Sequence, residues 1–542
     1  MKFDARTISV SLLIALAVGT YDLHYPNYAP DQHIFGTMLL KDKHPDLFTR
    51  DFFFGDPANY GHYVPCYRSL AGWVVGDSEG EDLLFRYNLL LFPTLFFFVW
   101  GFHRLFFRLT GNAAASWAVT AAAVVSRQSL SVNQFGIGLH DSMVAYKVFL
   151  AAVPWILDLT LRRAFHRTDL LVSFFLLGLV SNFHPILGLG FAGILALSLA
   201  GVIRPKVIVA STLVSSLSLF VAGFAPYIIL YLRHASPVTD KPFTASEFWT
   251  AFSTNWGYLP VSLLGLRAFL MDSIFLIVFS LIGWRAVRRN HGSWDATPAP
   301  ARFFVWFAAA AVFLPVLVSA ALQAQSLLLD RPPIIGLEPM RWTAFLYVPL
   351  YVLSAHFLSG ARAGDIPWGR MSRRTLFIVA VFPLFIQKEF PGRLIFREAL
   401  IRTGIYSEKR TAAIERDNER RNDLLAVAQW ARSTTPVDAL FFHPHYDFRF
   451  YSQRAVVIGW KDGSMFTRAG SKKTREWLDR AGRVREAIDS KDAQRVFNTA
   501  GEMGCDFVIL REGEGPQDGI GSPVFQNQTY RVYRVADDAG KS

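Results

Sequence analysis

Two aspartates near the N-terminus, Asp31 and Asp51, are the residues whose type and position most strongly suggest chemistry. Asp31 begins the sequence Asp-Gln-His shortly after the first apolar run, and Asp51 stands in Thr-Arg-Asp-Phe-Phe-Phe, whose aromatic residues are suited to a membrane interface. A partly desolvated carboxylate at a membrane surface can take the proton of a hydroxyl acceptor. We expect Asp31 to be this base, Asp51 to be a second acid and His33 to contact the substrate.

Further polar residues recur at the ends of later apolar runs. His140 and Asp141 precede the run that starts near residue 143, where Asp141 either caps a helix or joins the first segment in a site. His184, directly before a proline, is either an ordinary turn histidine or a ligand of a substrate head group. Arg341 opens another apolar run, where its guanidinium either extends to the interface or binds a phosphate.

The segment from His443 to Arg454 mixes aromatic and charged residues and is either an acceptor-binding loop or an interdomain loop. Arg449 and Arg454 are its candidate substrate ligands. Asp51 and Asp141 are candidates to hold a divalent cation such as Mg²⁺ or Mn²⁺, although no cofactor is required by the pattern. The two cysteines, Cys66 and Cys505, are expected to be unpaired thiols, with a single bridge as the alternative.

The composition points to a multi-pass membrane protein. The chain has 542 residues, of which 52% are hydrophobic and 48 are Phe, and its net charge is +12. Lys and Arg cluster beside apolar runs, which is typical of topology signals and not of a nucleic-acid surface. We therefore expect contact with membrane lipids and no nucleic-acid partner.

Apolar runs predict about eleven transmembrane helices. Basic residues at alternate ends place the N-terminus in the cytoplasm and the 21–82 loop outside. A cleaved signal peptide at 8–20 is an alternative for the first run. The predicted spans are 8–20, 83–106, 113–126, 143–161, two within 170–203, 207–232, 261–284, 303–322, 342–358 and 375–387.

The composition becomes polar after about residue 390, which predicts three regions. Residues 1–389 form the transmembrane domain, 390–420 an interfacial linker, and 421–542 a small extracytoplasmic α/β domain. Strands are predicted at 439–442, 455–460, 506–510 and 530–535, and helices at 424–430 and twice within 472–502.

This arrangement resembles the GT-C superfamily of integral-membrane glycosyltransferases, which includes oligosaccharyltransferases, protein O-mannosyltransferases and the bacterial aminoarabinose transferase. The likeness rests on acidic residues in the first outer loop, a carboxylate in the second, an Arg at the outer start of a late span, and an exported α/β domain. The segment Gln429–Trp460 also looks like the exported domain of bacterial members. One departure is Gln32, because some members have a second acid directly after the first.

The resemblance implies an inverting transfer of a sugar from a polyprenyl-phosphate-linked donor to a lipid, glycan or protein acceptor. The reaction would take place on the extracytoplasmic side of a bacterial inner membrane. Asp31 would activate the acceptor, Asp51 and Asp141 would organise the site or a divalent cation, and Arg341 would hold the lipid phosphate. Two other classes remain open, a lipid or polysaccharide transporter or flippase, and a non-catalytic membrane scaffold.

Overall fold

Helices dominate the structure, a computed structural model that describes residues 4–24, 30–61, 63–125, 128–130, 133–135, 143–203, 206–234, 244–247, 250, 297–330, 339–363, 408–463, 471–511 and 522–535. The helices of the membrane part are α1 Ala5–His24, α2 Pro30–Lys43, α3 Pro65–Val75, α4 Gly80–Asn88, α5 Leu91–Thr110, α6 Ala113–Val125, α7 Ala145–Leu161, α8 Arg167–Ser181, α9 Pro185–Val202, α10 Lys206–His234, α11 Ala299–Leu329 and α12 Tyr347–Ala363. Short 3-10 helices lie at Pro57–Asn59 and Pro339–Leu346, and strands β1 Gln128–Leu130 and β2 Asn133–Phe135 form an antiparallel hairpin.

Five helices of the described part are long and apolar enough to cross a membrane, namely Ala5–Leu23, Gly80–Thr110, Pro185–Val202, Ala210–Arg233 and Ala299–Leu329. This fits a helical membrane protein but does not match the predicted count of about eleven spans. Four other helices occupy predicted spans but are shorter than the roughly 20 residues that a bilayer requires: α6 with 13 residues, α7 with 17, α8 with 15 and α12 with 17. The predicted spans 261–284 and 375–387 lie outside the described residues.

The segment 21–82 was predicted to be a long loop, and this is wrong because much of it is helical. It contains the end of α1, all of α2 and α3, and the start of α4. Pro30 at the first position of α2 and Asp31 in its first turn are favourable helix starts. Phe53 and Phe54 are fully buried and do not lie at a membrane interface, because aromatic side chains of this segment pack on one another.

The apolar run 170–203 is divided as predicted. Helix α8 ends at Ser181 and α9 begins at Pro185. Gly178 allows close contact with α10, since a Cβ there would lie 2.2 Å from a backbone oxygen of that helix. Asn182 donates to the carbonyl of Gly223 at 2.9 Å and accepts from the backbone N–H of Tyr227 at 2.8 Å. These contacts fix the turn that presents His184.

The C-terminal part is a small α/β unit, as predicted. Its sheet has the order β4-β3-β5-β7-β6, in which β3 is parallel to β4 and β5, and β7 is antiparallel to β5 and β6. Helix α13 crosses the predicted boundary at residue 420 without a break. The elements are α13 Glu408–Thr434, β3 Leu440–Phe442, α14 Tyr446–Ser452, β4 Ala455–Val456, α15 Ser471–Asp489, α16 Ala493–Glu502, β5 Phe507–Arg511, β6 Phe525–Gln526 and β7 Tyr530–Arg534.

The α/β unit packs directly on the helices near the N-terminus. One continuous hydrophobic core contains residues of α2, of the membrane helices and of the sheet. Gly36 of α2 allows this close contact, because a Cβ there would come within 2.5 Å of the ring of Phe450 in α14. Arg50 pairs with Asp506 at 2.6 Å at the same interface. The first segment and the C-terminal unit therefore form one structure around α2.

A further ion pair joins the segment after α10 to α15. Arg475 donates from Nε and Nη2 to both oxygens of Glu247, at 2.7 and 2.9 Å. These hydrogen bonds, with one from the backbone of Thr244, lower the pKa of Glu247 to about 2 from its ordinary value of 4.5. Because the folded pKa lies below the unfolded one, the contact stabilises the protein above about pH 4.5, and this stabilisation is lost as the pH falls to about 2.

We expect Glu247→Gln to reduce the acid-dependent loss of stability within this pH window. The measurement is the melting temperature in detergent between about pH 2 and 6, compared with wild type and with the exposed control variant Glu81→Gln. Parallel pH profiles for wild type and Glu247→Gln would show that the pair does not contribute.

Candidate functional site

Asp31 lies in the first turn of α2, where its carboxylate faces a charged partner from the C-terminal unit. Lys461, in the turn that follows β4, donates from Nζ to Oδ1 of Asp31. The side chain of Asp31 is 37% exposed and that of Lys461 is 23% exposed, so both are accessible to solutes. Asp31, the predicted base, is therefore accessible. It is paired with Lys461, which was not among the predicted site residues.

Arg341 and His184 lie close enough to Asp31 to act on its charge. Trp342 fixes the position of its neighbour Arg341, because its indole N–H donates to the carbonyl of Ile186 at 2.8 Å. Its ring lies against Gly190 of α9, where a Cβ would come within 2.2 Å. The 3-10 helix of Arg341 is thereby held against the same turn that presents His184.

His184 also has a local structural role. Its Nδ1 accepts a hydrogen bond from the backbone N–H of Leu187 at 3.3 Å, which caps the start of α9. The ring contacts Tyr146 edge to face. His184 is therefore the turn histidine of the first interpretation, and its role as a ligand of a substrate head group stays a prediction.

The electrostatics of Asp31 combine two opposing effects. Desolvation by the surrounding protein raises the pKa of this carboxyl, whereas Lys461, followed by Arg341 and His184, lowers it. The cations prevail, and the net pKa of Asp31 is below its ordinary value. Asp31 is consequently ionised at neutral pH, which is the form that accepts a proton.

Two buried tyrosines belong to the environment of Asp31. Tyr67 of α3 and Tyr87 of α4 are fully buried, and their rings meet edge to face with centroids 5.9 Å apart. Burial, followed by the charge of Asp31, raises the pKa of Tyr67. This phenol therefore stays protonated at neutral pH and cannot take a proton from an acceptor, which leaves the ionised Asp31 as the base.

Asp51 also contacts the C-terminal unit, but unlike Asp31 its side chain is buried inside that interface. Its Oδ2 is 2.9 Å from Nε of Arg449 and accepts from the backbone N–H of Val456 at 3.1 Å. Its Oδ1 accepts from the backbone N–H groups of Phe53 and Phe54, each at 3.0 Å. The side chain is completely buried. This environment favours a structural role for Asp51 over the predicted role of second acid.

Arg449 and Arg454 are likewise occupied within the protein. Arg449 is fully buried between Asp51 and Asp462, whose carboxylate it contacts at 3.1 and 2.7 Å. Arg454 donates to the carbonyls of Arg432 and Thr435 at 2.7 and 2.8 Å, at the end of α13. These contacts give both arginines a structural role in the C-terminal unit. They do not favour the predicted role of Arg449 and Arg454 as substrate ligands.

His33 faces a small cavity between α2, α13 and α14. It lies two residues after Asp31 and therefore on another side of the same helix. The cavity has a volume of about 190 Å³, and its walls are His33, Arg421, Leu424, Leu425, Ala428, Asp447, Phe448 and Tyr451. His33 is buried against the rings of Phe450 and Tyr451. It belongs to the interdomain contact and not to the surroundings of Asp31.

The predicted residues His140 and Asp141 lie outside the described residues. Among those that are described, no group of three His, Cys, Asp or Glu side chains is arranged to hold a metal ion. Asp51, one of the two candidate metal ligands, is paired with Arg449. Cys66 and Cys505 are free thiols, and burial raises the pKa of Cys505 to about 12.

The arrangement defines a class of protein, a helical membrane protein whose small C-terminal α/β unit contributes a cation to a carboxylate beside the membrane helices. Residues 422–484 match a family described as a domain of unknown function (DUF6798). This region contains Lys461, which contacts Asp31 of α2, and Arg449, which contacts Asp51 in the segment after α2. No curated protein matches the chain.

Proposed function

We propose that this protein is a membrane glycosyltransferase that moves a sugar from a polyprenyl-phosphate donor to a hydroxyl acceptor outside the cytoplasm of a bacterial cell. The observation that supports it most is the accessible carboxylate of Asp31 beside Lys461, with Arg341 and His184 within electrostatic reach. A base for the acceptor and cations for a phosphate are the two requirements of such a transfer.

The proposed reaction assigns roles to Asp31 and Arg341. Asp31 takes the proton of the acceptor hydroxyl, and the acceptor oxygen forms a bond to the anomeric carbon of the sugar. The bond between that carbon and the phosphate oxygen breaks, and its electron pair stays on the phosphate. Arg341 stabilises the negative charge that develops on the departing polyprenyl phosphate. Attack opposite to the leaving group inverts the anomeric configuration.

A transporter or flippase is the second candidate, and one observation favours it. Lys147 is completely buried in α7, and a buried charge among membrane helices often marks a transport pathway. Asp31 and Lys461 instead lie outside the five candidate spans, which favours surface chemistry. The non-catalytic scaffold, the third candidate, predicts no consumption of any lipid-linked sugar.

The test is a reconstitution of the purified full-length protein in nanodiscs with a panel of polyprenyl-phosphate sugars and total envelope glycolipids as acceptors. We expect release of free polyprenyl phosphate, detected by mass spectrometry, together with a glycosylated acceptor. Movement of an intact donor across sealed proteoliposomes without such release would establish the transporter instead. If the donors are neither consumed nor moved, the protein is a scaffold.

A further inference from the structure

We propose that the cavity between α2, α13 and α14 binds one sugar ring, a pyranose unit of a glycan. The cavity lies on another side of α2 from Asp31, because His33, which lines it, comes two residues later in the helix. This inference goes beyond the proposed function, since binding there requires neither a donor nor a transfer. It gives the C-terminal unit a part in glycan recognition.

The size of the cavity limits what it can hold. Its volume is about 190 Å³. A cavity of about 150 Å³ in another protein holds benzene, whereas pockets for drug-sized ligands measure about 300–1,000 Å³. One six-membered ring with small substituents therefore fits, and a polyprenyl chain or an oligosaccharide does not.

The wall formed by α13 changes from polar to apolar along the helix. Arg421, Leu424 and Ala428 line the cavity at helical spacing, three and then four residues apart, so they share one face of α13. Arg421 is exposed, whereas Leu424 and Ala428 are buried. The cavity is therefore accessible to solutes at the end where Arg421 lies, and it is apolar at the other end.

Asp447, in the first turn of α14, adds a carboxylate to the lining. Its Oδ1 accepts from the backbone N–H of Phe448 at 3.1 Å. Its Oδ2 has no hydrogen-bond or ion-pair partner among the residues that the structure describes. A carboxylate accepts hydrogen bonds at both oxygens, and its charge strengthens them. Asp447 can therefore accept from a hydroxyl group of a ligand in the cavity.

His33 and Tyr451 form the aromatic part of the lining. Their rings meet edge to face with centroids 5.5 Å apart, and His33 is buried, so packing holds both rings in place. Half of the eight lining residues are polar or charged, and half are apolar. A pyranose fits such a lining, because its hydroxyl groups project from the ring edge and its C–H groups form two apolar faces.

A simple packing defect explains this cavity less well. Empty cavities in proteins have apolar linings, whereas polar groups in a cavity hold ordered water or a ligand. This cavity belongs to the second kind, because an aspartate and an arginine are among its lining residues. A polar ring that displaces water can reproduce the hydrogen bonds of that water, which an apolar ring of equal size cannot do.

The test is saturation-transfer NMR of the full-length protein in phospholipid nanodiscs, since maltoside detergents carry sugars themselves. The probes are the methyl glycosides of glucose, galactose, mannose and N-acetylglucosamine, and cyclohexanol serves as an apolar ring of similar size. We expect at least one glycoside to bind with a Kd of about 1–10 mM, the range for ligands of about a dozen heavy atoms. Cyclohexanol should not bind.

Two variants show whether the binding takes place in the cavity. Asp447→Asn should weaken it about tenfold, because a charge-assisted hydrogen bond is lost. Ala428→Leu should abolish it, because the larger side chain fills the apolar end. The matched controls are Asp489→Asn, at an exposed aspartate of α15, and Ala412→Leu, at an exposed alanine of α13. Both controls should bind like wild type.

Three results would overturn the sugar site: no saturation transfer to any glycoside, equal binding of cyclohexanol, or glycoside binding that either cavity variant leaves unchanged. If Ala428→Leu does not fold, the result for Asp447→Asn decides the question. Glycoside binding with the expected pattern but without sugar transfer would overturn only the proposed function. Sugar transfer without such binding would overturn only the sugar site in the cavity.

Discussion

Replacing Asp31 with Asn is expected to lower sugar transfer by about 10²–10⁴-fold, the usual contribution of a general base. Asn has nearly the same shape as Asp but cannot accept the acceptor's proton at neutral pH. The side chain is partly exposed, so its replacement should leave the amount of protein in the membrane unchanged. The measurement is release of polyprenyl phosphate per mole of protein, with wild type and variant reconstituted in parallel.

Asp46→Asn is the matched control for this variant. Asp46 is an exposed aspartate of the same N-terminal segment, and its replacement should leave the rate within experimental error of wild type. Full activity of Asp31→Asn would remove Asp31 from the reaction. Equal loss in both variants would mean that the general negative charge of the segment matters, and not one base.

Replacing Arg449 with Ala is expected to have the largest effect on stability, a loss of about 3–5 kcal/mol in the free energy of unfolding. Arg449 is the only described cation that pairs with both Asp51 and Asp462, and all three side chains are at most 2% exposed. Its removal leaves two carboxylates buried without a charge partner. The melting temperature in detergent, followed by intrinsic fluorescence, measures the effect.

Arg432→Ala is the control for the Arg449 variant. Arg432 pairs with Glu79 across the same interface at 2.5 Å, but both groups are about one-third or more exposed, and such pairs contribute little. Its melting temperature should remain close to that of wild type. A similar small shift for Arg449→Ala would contradict the structural role that we assign to the buried triad of Asp51, Arg449 and Asp462.

Much of the helical fold could be predicted from the sequence, because apolar periodicity and Pro positions act locally. The division of the run 170–203 at Pro185 and the main strands of the C-terminal sheet are examples, and the structure confirms them. The described part does not match the predicted span count, because four predicted runs form helices shorter than a full span and two lie outside the described residues. An apolar run reports hydrophobicity and not helix length. The segment 21–82 was misjudged because its aspartates were interpreted as signs of solvation, although several lie on helices.

The site was predictable only in part. Asp31, His184 and Arg341 were selected from their positions at the ends of apolar runs, and in the structure the charges of Arg341 and His184 lower the pKa of Asp31. Lys461 could not be selected in this way, because it lies 430 residues after Asp31 and its neighbourhood depends on how the C-terminal unit docks. One weak signal existed, since Lys461-Asp462 directly follows a predicted strand.

The roles of Asp51, Arg449 and Arg454 show a second limit of sequence reasoning. A charged residue beside aromatic residues is equally consistent with a substrate contact and with a buried ion pair. The choice depends on the partner, which for Asp51 comes from the other end of the chain. Spacing within a segment therefore could not separate these roles.

Mass spectrometry of cell-envelope lipids and glycans tests the proposed transfer most directly. Cells that lack this protein are compared with cells that express wild type or Asp31→Asn at equal levels. We predict that wild type alone yields a sugar-modified acceptor, and that Asp31→Asn shows the unmodified acceptor together with accumulated polyprenyl-phosphate sugar. Identical lipid and glycan profiles in all three strains would contradict a role in sugar transfer.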